Sequence, residues 1–153
     1  MSTLDQKDRR ILDLLQQDAT LAVAEIAERV GLSRTPCWRR IRDLEQRGYI
    51  RKRVALLDGA RLGAGITVFM AIRTNQHNAR WLERFRKAVN ALPEIVEAYR
   101  LSGETDYLLR ILVGDIAGFD AVYKRLIEMV EFADVSSSFS MEALKSTTAI
   151  PLP

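Results

Sequence analysis

The chain has 153 residues, of which 48% are hydrophobic and 28% charged, and its formal net charge at pH 7 is +3. This composition is that of a globular protein and excludes a disordered chain, and the lack of a long apolar run predicts a cytoplasmic protein with no membrane partner. The chain has one cysteine and one histidine, and these numbers exclude an internal disulfide and a zinc-type ligand cluster. No metal or cofactor is expected.

Three helices are predicted in the first half of the chain. Asp5 or Thr3 can cap a first helix, whose apolar positions are Ile11, Leu12, Leu14 and Leu15. A second, short helix ends at Gly31 and has apolar residues at i, i+3, i+4 and i+7, namely Val23, Ile26, Ala27 and Val30. Ser33 is a suitable N-cap for a third helix, which tolerates Pro36 in its first turn. This order is the helix-turn-helix pattern.

The excess of positive charge lies in residues 33–53, which hold eight Lys or Arg and two acids, whereas residues 61–153 hold eleven of each. Such a segment is typical of a surface that binds a polyanion. At about 100° per residue, one side of the third helix carries Cys37, Ile41 and Leu44. The opposite side carries Thr35, Arg39, Arg42 and Gln46, with Trp38 at its margin.

The two sides of the third helix predict different partners. The apolar side should pack on the first two helices, and the polar side can contact base edges and phosphates of double-stranded DNA. Arg51, Lys52 and Arg53 follow in a predicted strand that would reach flanking phosphates. A solvated basic helix without a ligand is the alternative.

Cys37 allows two interpretations. On the inward side of a helix a cysteine is most often a small buried hydrophobe, and this is the prediction. A redox or thiol sensor would need a thiolate, which the helix N-terminus and the nearby Arg39 and Arg40 would favour and burial would oppose.

The second half alternates between strand and helix patterns, after a joint marked by Gly59, Gly63 and Gly65. Strands are predicted over residues 66–73, 95–101, 107–113 and 135–144. Apolar helical stripes run through residues 82–92 and 119–130. The order β-α-β-β-α-β is the ferredoxin-like arrangement, so the fold class is α+β. The predicted domains are 1–60 and 66–153, joined by a linker over 61–65.

A sheet of this kind has two faces, and two helices can cover only one of them. The first predicted strand is apolar on both sides, with Phe69 and Ala71 on the second side, and the third strand places Leu108 and Leu112 there. An apolar face of this extent favours a partner chain, so a dimer at least is predicted.

Two polar features interrupt this apolar half. In the turn SGETD, residues 102–106, Gly103 lets backbone N–H groups converge on a carboxylate, and Asp106 can accept hydrogen bonds from an ammonium group. Together they match the two charges of an amino acid, although an ordinary hairpin is favoured on chemistry alone. Serines at 136, 137, 138 and 140 indicate that the last strand lines a wet pocket or a subunit edge.

No enzyme is predicted. The sequence has no Ser–His–acid set, no phosphate-binding glycine loop and no metal-binding motif. His77 lies in the polar loop TNQHNAR without a nearby acid or serine and is expected to be exposed.

Four segments carry a resemblance to a known family, namely LDQKDRRILDLLQQDA, AEIAERVGLSRTPCWRRIRDLEQRGYI, LSGETDYLLRI and SSSFSMEALKSTTAIPL. In this order, and across essentially the whole chain, they resemble the Lrp/AsnC (feast/famine) family of bacterial and archaeal transcription regulators. The resemblance implies an N-terminal winged helix-turn-helix, a C-terminal ferredoxin-like effector domain, and dimers that assemble into tetramers or octamers. TPCW and VALLD resemble a branch of the family with cysteine-responsive members.

The resemblance also implies site residues. It makes residues 33–46 the recognition helix, and the expected DNA contacts are Ser33, Arg34, Thr35, Pro36, Trp38, Arg39, Arg42, Gln46, Arg51, Lys52 and Arg53. It makes the turn part of an effector pocket between dimers, to which the serines of the last strand also contribute. The expected effector contacts are Leu101, Ser102, Gly103, Glu104, Thr105, Asp106, Tyr107, Ser136, Ser138 and Ser140.

The predicted function is a sequence-specific transcription regulator whose DNA binding or assembly responds to a small effector, an amino acid by the resemblance. An architectural, nucleoid-type DNA-binding protein without an effector is the first alternative. An enzyme or metabolite-binding domain with an incidental basic helix is the second.

Overall fold

The computed structural model describes residues 4–152, which divide into two compact units. The first consists of residues 4–56 with residues 145–152, and the second of residues 57–144. Within residues 4–152 no helix has the length and apolar character needed to cross a membrane.

This division differs from the predicted domains at both ends of the second unit. The last residues belong to the first unit, where the Gln16 side-chain amide donates to the Ile150 carbonyl (3.1 Å) and accepts from the Ile150 N–H (2.9 Å). The predicted linker 61–65 belongs to the second unit. Gly63 lies so close to Gly114 that a Cβ on Gly114 would be 2.7 Å from the Gly63 carbonyl oxygen.

The first unit contains helices α1 (Gln6–Gln17), α2 (Val23–Arg29) and α3 (Arg34–Gln46). A capping box starts α1, because the Asp5 carboxylate accepts from the Asp8 N–H (2.8 Å) and the Asp8 carboxylate accepts from the Asp5 N–H (3.2 Å). The alternative cap, Thr3, lies outside the described residues. Gly31, at φ +65°, follows α2 as predicted. Ser33 is the N-cap of α3 by position, although its side chain makes no capping hydrogen bond.

The three helices enclose one apolar core, made of Ile11, Leu15, Ile26, Ala27, Val30, Cys37, Ile41 and Leu44. The inward side predicted for α3 is confirmed, since its three apolar residues all lie in this core. Cys37 is fully buried, and burial raises the pKa of its thiol. A neutral, buried thiol is what the small-hydrophobe interpretation requires.

The strand predicted after α3 is wrong for the single chain. Residues 51–58 have no regular secondary structure and are all exposed. A strand needs a hydrogen-bonding neighbour, and within residues 4–152 the backbone of residues 51–57 has none. Arg51, Lys52 and Arg53 therefore lie on an exposed segment without regular secondary structure rather than on a strand.

The second unit contains β1 (Ile66–Arg73), α4 (Ala79–Ala91), β2 (Ile95–Arg100), β3 (Tyr107–Val113), α5 (Ile116–Met129) and β4 (Asp134–Phe139). The strands form an antiparallel sheet in the order β2-β3-β1-β4. This order confirms the predicted ferredoxin-like arrangement. β4 ends at Phe139 rather than at residue 144, because pairing with β1 stops after the Ser140 N–H donates to the Thr67 carbonyl (2.9 Å).

Both helices of this unit begin at a side-chain cap. Asn78 accepts from the Trp81 N–H (2.9 Å), and Asp115 accepts from the Gly118 N–H (2.6 Å). The helices pack on the face of the sheet that carries Val68, Met70 and Ile72, around a cluster of aromatic rings formed by Trp81, Phe85, Tyr107 and Phe132.

The opposite face of the sheet, here called the open face, is partly apolar. The strand register places Phe69 between Arg110 and Ser138, and Ala71 between Leu108 and Ser136. Phe69 is 40% exposed. The apolar residues predicted for the second face do lie there, but together with Arg110, Ser136 and Ser138. The partner chain that would cover this face stays a prediction.

Candidate DNA-binding surface and effector pocket

The outer side of α3 is a polar surface that projects from the first unit. Its exposed residues are Arg34, Thr35, Pro36, Trp38, Arg39, Arg42 and Gln46, with the exposed Ser33 at the N-terminal end. The helix presents this side because Cys37, Ile41 and Leu44 hold the other side in the core. A rotation of α3 about its axis would expose those three side chains to water. The structure thus brings together all the contact residues predicted on this helix.

Arg40 does not belong to this outer surface. Its Nη1 donates to Asp5 Oδ2 (2.6 Å) and to Asp8 Oδ1 (2.7 Å), which ties the middle of α3 to the start of α1. The Asp8 N–H, followed by the Arg40 guanidinium, holds the pKa of Asp5 below its usual value. The two acids lie 35 and 32 residues from Arg40, so no local spacing in the sequence signals the pair.

Glu45 is an acid within the basic surface, and it links two arginines. Its Oε1 accepts from Arg53 Nη2 (3.1 Å), and its Oε2 lies 3.8 Å from Arg42 Nη1. Residues 51–58 have no regular secondary structure, so the bond to Glu45 is what holds Arg53 beside α3. Arg51 and Lys52, which precede it, are exposed. Sequence reasoning missed Glu45, although its i,i+3 spacing from Arg42 was the available signal.

Trp38 is the large apolar side chain of the outer surface, and it is 52% exposed. The guanidinium carbon of Arg42 lies 5.9 Å from the centre of its ring. The ring also lines a concavity with Val23, Arg34 and Thr35, at the point where the N-terminal ends of α2 and α3 meet.

In the turn between β2 and β3 the glycine has a positive φ, while the convergence of N–H groups on a carboxylate stays a prediction. Gly103 is at φ +126°, a conformation that favours glycine. The Leu101 N–H donates to the Asp106 carbonyl (2.8 Å), and the Asp106 N–H donates to the Ile72 carbonyl (3.0 Å). Ser102, Gly103 and Glu104 are exposed along with Leu101, and Thr105 and Asp106 are half-buried.

Two residues of the predicted effector set have structural roles in this turn. Asp106 Oδ2 accepts from the Thr74 N–H (2.8 Å), so one carboxylate oxygen fixes the end of β1. Tyr107 is buried on the helix side of the sheet, with its ring centre 4.6 Å from that of Phe85. The side chain of Tyr107 therefore belongs to the core. The polar groups that the turn can offer to a ligand come from residues 102–106.

The serines of the last strand differ in their distance from this turn. Ser136 is the nearest by register, because its partner Ala71 precedes the Ile72 whose carbonyl accepts from the Asp106 N–H. Ser136 and Ser138 are exposed on the open face, opposite Ala71 and Phe69. Ser140 follows the strand, and its N–H bonds to Thr67, five residues before the Ile72 that binds Asp106. Five strand residues span about 17 Å, so one chain does not bring Ser140 and the turn together.

Comparison with protein families gives two matches that together cover most of the chain. A family described as winged helix-turn-helix DNA-binding matches residues 4–51. The family described as Lrp/AsnC ligand binding domain matches residues 67–150. This chain belongs to the Lrp/AsnC family.

Individual relatives of the Lrp/AsnC family agree with this assignment. The chain is 52% identical over 150 residues to the glutamate uptake regulatory protein of Zymomonas mobilis, across 98% of this chain and 92% of that protein. A crystal structure of an AsnC family transcriptional regulator from Agrobacterium tumefaciens superposes with a TM-score of 0.93 at 55% identity and 97% coverage of both chains. The L-Met complex of a transcriptional regulator from Neisseria meningitidis superposes with a TM-score of 0.92 at 35% identity, again covering 97% of each chain.

Members of the Lrp/AsnC family are transcription regulators, and this chain has both the DNA-binding and the ligand-binding domain. The predicted fold class and the predicted class of function are therefore confirmed. α3 lies within the DNA-binding match, and the turn and the β4 serines lie within the ligand-binding match. Membership of the branch with cysteine-responsive members stays a prediction.

Proposed function

We propose that the outer side of α3 enters the major groove of operator DNA. The observation that carries this is the fixed orientation of the helix, whose buried side leaves Arg34, Arg39 and Arg42 projecting together. Arginine can pair bidentately with guanine edges or hold phosphates. The exposed segment with Arg51, Lys52 and Arg53 contacts flanking phosphates. Ser33, Thr35, Pro36, Trp38 and Gln46 complete the surface.

Fluorescence anisotropy titrations with operator DNA at several salt concentrations test this surface. Arg39→Ala and Arg42→Ala should each weaken binding, by about 5-fold to 150-fold if the side chain reads a base. A phosphate contact should instead reduce the salt slope by about one. Arg86→Ala, which removes an exposed arginine from α4, is the matched control and should bind normally. Unchanged affinity and slope in both α3 variants would refute the assignment.

We further propose that the DNA binding or assembly of the protein responds to an amino acid held at the turn. Gly103 lets the exposed N–H groups of the turn receive a carboxylate. Asp106 is half-buried beside them and supplies a carboxylate for the ammonium group. The match to the Lrp/AsnC ligand binding domain covers this turn, and the similar Neisseria regulator holds L-Met.

Asp106→Asn separates the proposed ligand role from the structural one. The amide oxygen of asparagine can still accept from the Thr74 N–H, so the end of β1 keeps its bond. Calorimetry with the twenty amino acids should show that this variant binds the effector about 10-fold to 100-fold more weakly at unchanged thermal stability, because a charge-assisted hydrogen bond is lost. The architectural, nucleoid-type alternative is favoured by the bond of Asp106 to Thr74, because that bond gives the carboxylate a structural role. This alternative holds if no amino acid binds the native protein or alters its DNA binding.

We propose that a second copy of the chain covers the open face and that such dimers assemble into tetramers or octamers. Phe69, Leu108 and Leu112 supply the apolar part of that face. Phe69→Glu should lower the mass measured by sedimentation velocity, because a carboxylate would be buried at the interface. Ile116→Glu changes an equally apolar side chain that is 70% exposed on α5 and should leave the mass unchanged. Loss of assembly in both variants, or in neither, would contradict the assignment.

A further inference from the structure

Apart from Pro36, Trp38 is the apolar side chain of an outer surface whose other residues are polar or charged. More than half of its side chain is in contact with water, whereas Trp81 in the second unit is 3% exposed. An indole of this size buries a large apolar area once a partner covers it. Apart from the one donor of the ring, its Nε1–H, the contact that this side chain can make on DNA is apolar.

The surroundings of Trp38 define the shape of that contact. Val23 of α2 is half-buried and lines the concavity beside the ring, together with Arg34 and Thr35 of the first turn of α3. Arg42, whose guanidinium carbon is 5.9 Å from the ring centre, places a cation over the indole. The concavity is thus an apolar recess with cationic side chains around it, which complements an apolar group on a polyanion.

A duplex offers one such group in its major groove. Among the base edges there, only thymine carries an apolar substituent, the 5-methyl group, next to hydrogen-bond acceptors and donors. We propose that the recess formed by Trp38 and Val23 receives the 5-methyl group of a thymine, and that Trp38 is a specificity-determining residue of operator recognition. This inference rests on the proposed docking of α3 in the major groove.

The test uses the full-length protein and operator sequences selected from a random duplex library. Each thymine of a selected site is replaced in turn by deoxyuridine, which removes only the methyl group. One position in each half-site should then bind about four-fold more weakly, the effect of one buried methyl group. In Trp38→Ala the same replacement should have no effect, and library selection with that variant should lose the thymine preference at that position.

Two further variants keep the result interpretable. Tyr49→Ala removes another exposed aromatic ring of the first unit that also has an arginine over it, Arg47 at 4.9 Å, but lies outside α3. It should retain the full deoxyuridine effect. Trp38→Phe keeps an apolar ring in the recess and should retain part of the effect, which a fold defect would not produce.

The outcomes distinguish this inference from the proposed function on which it rests. If the native protein selects a site but no thymine position is sensitive to deoxyuridine, methyl recognition is refuted while DNA binding stands. If the sensitivity persists in Trp38→Ala, another residue reads the methyl group and Trp38 is not the determinant. If the native protein retains no duplex at physiological salt, the proposed function fails and the inference fails with it.

Discussion

Replacing Leu44 with alanine should unfold the first unit while the second stays folded. Leu44 is fully buried between α3 and the other two helices. Among the described residues the first core contains eight buried side chains and the second contains fifteen, and the two sets share no member. A cavity in the first core therefore removes packing from one unit alone.

The expected loss is comparable to the whole stability of the first unit. A buried leucine replaced by alanine costs about 2–5 kcal/mol, through the lost transfer free energy and the remaining cavity. A core of this size supports only about 3–5 kcal/mol. Leu56→Ala makes the same substitution at a position in the first unit that is 73% exposed. It should change the free energy of unfolding by less than about 0.5 kcal/mol.

Each unit contains one tryptophan, which makes the assay specific. In a Trp38→Phe background the fluorescence of the buried Trp81 reports the second unit, and far-UV circular dichroism reports the helices of both. In urea, Leu44→Ala should lose part of the helical signal before the Trp81 transition, whose midpoint should not move. The protein concentration is held constant, because assembly shifts apparent stability by mass action. A fall of the Trp81 midpoint with the helical signal would refute the independence of the two cores.

Three other changes have defined outcomes. Asp115→Ala removes the N-cap of α5 and should cost about 1 kcal/mol in urea unfolding, whereas Asp120→Ala, an exposed ion-pair partner on the same helix, should cost about 0.5 kcal/mol or less. Gly103→Ala places a side chain at φ +126° and should destabilise the second unit by about 1–2 kcal/mol in the same assay. The Asp8 N–H and, after it, the Arg40 guanidinium lower the pKa of Asp5, so Arg40→Gln should reduce in part the loss of unfolding free energy on acidification. The lowered pKa of Asp5 contributes stability above about pH 4 that is lost as the pH falls through that lowered pKa.

The elements that the sequence predicts well are those whose signals are local. The buried side of α3 follows from a 3.6-residue period, and β1 and β3 have the predicted bounds because their apolar runs end at turn residues. Contacts between distant segments have no such signal. The bonds of Arg40 to Asp5 and Asp8, and of Gln16 to Ile150, join residues between 32 and 134 positions apart.

The candidate sites divide in the same way. On α3 the contact residues share one helix face, so helical spacing alone brings them together. The strand predicted for Arg51 to Arg53 fails because pairing depends on a neighbour that the pattern does not supply. The bond between Asp106 and Thr74 could not be predicted from the sequence either, because the two residues meet only when β1 lies beside β3.

The distance between the turn and Ser140 has a thermodynamic consequence for the proposed effector. An amino acid extends over about two residues of extended chain, or ~7 Å, which is less than half of the ~17 Å of β1 that separates the two groups. A ligand held by both groups must therefore join two copies of the chain, and its binding then favours the assembled state. At a ligand concentration of 100 times Kd the shift is about 2.7 kcal/mol, enough to move a dimer–octamer equilibrium visibly in sedimentation velocity. If an amino acid binds with no change in mass at protein concentrations near the assembly midpoint, the turn holds it within one chain and Ser140 is not part of the pocket.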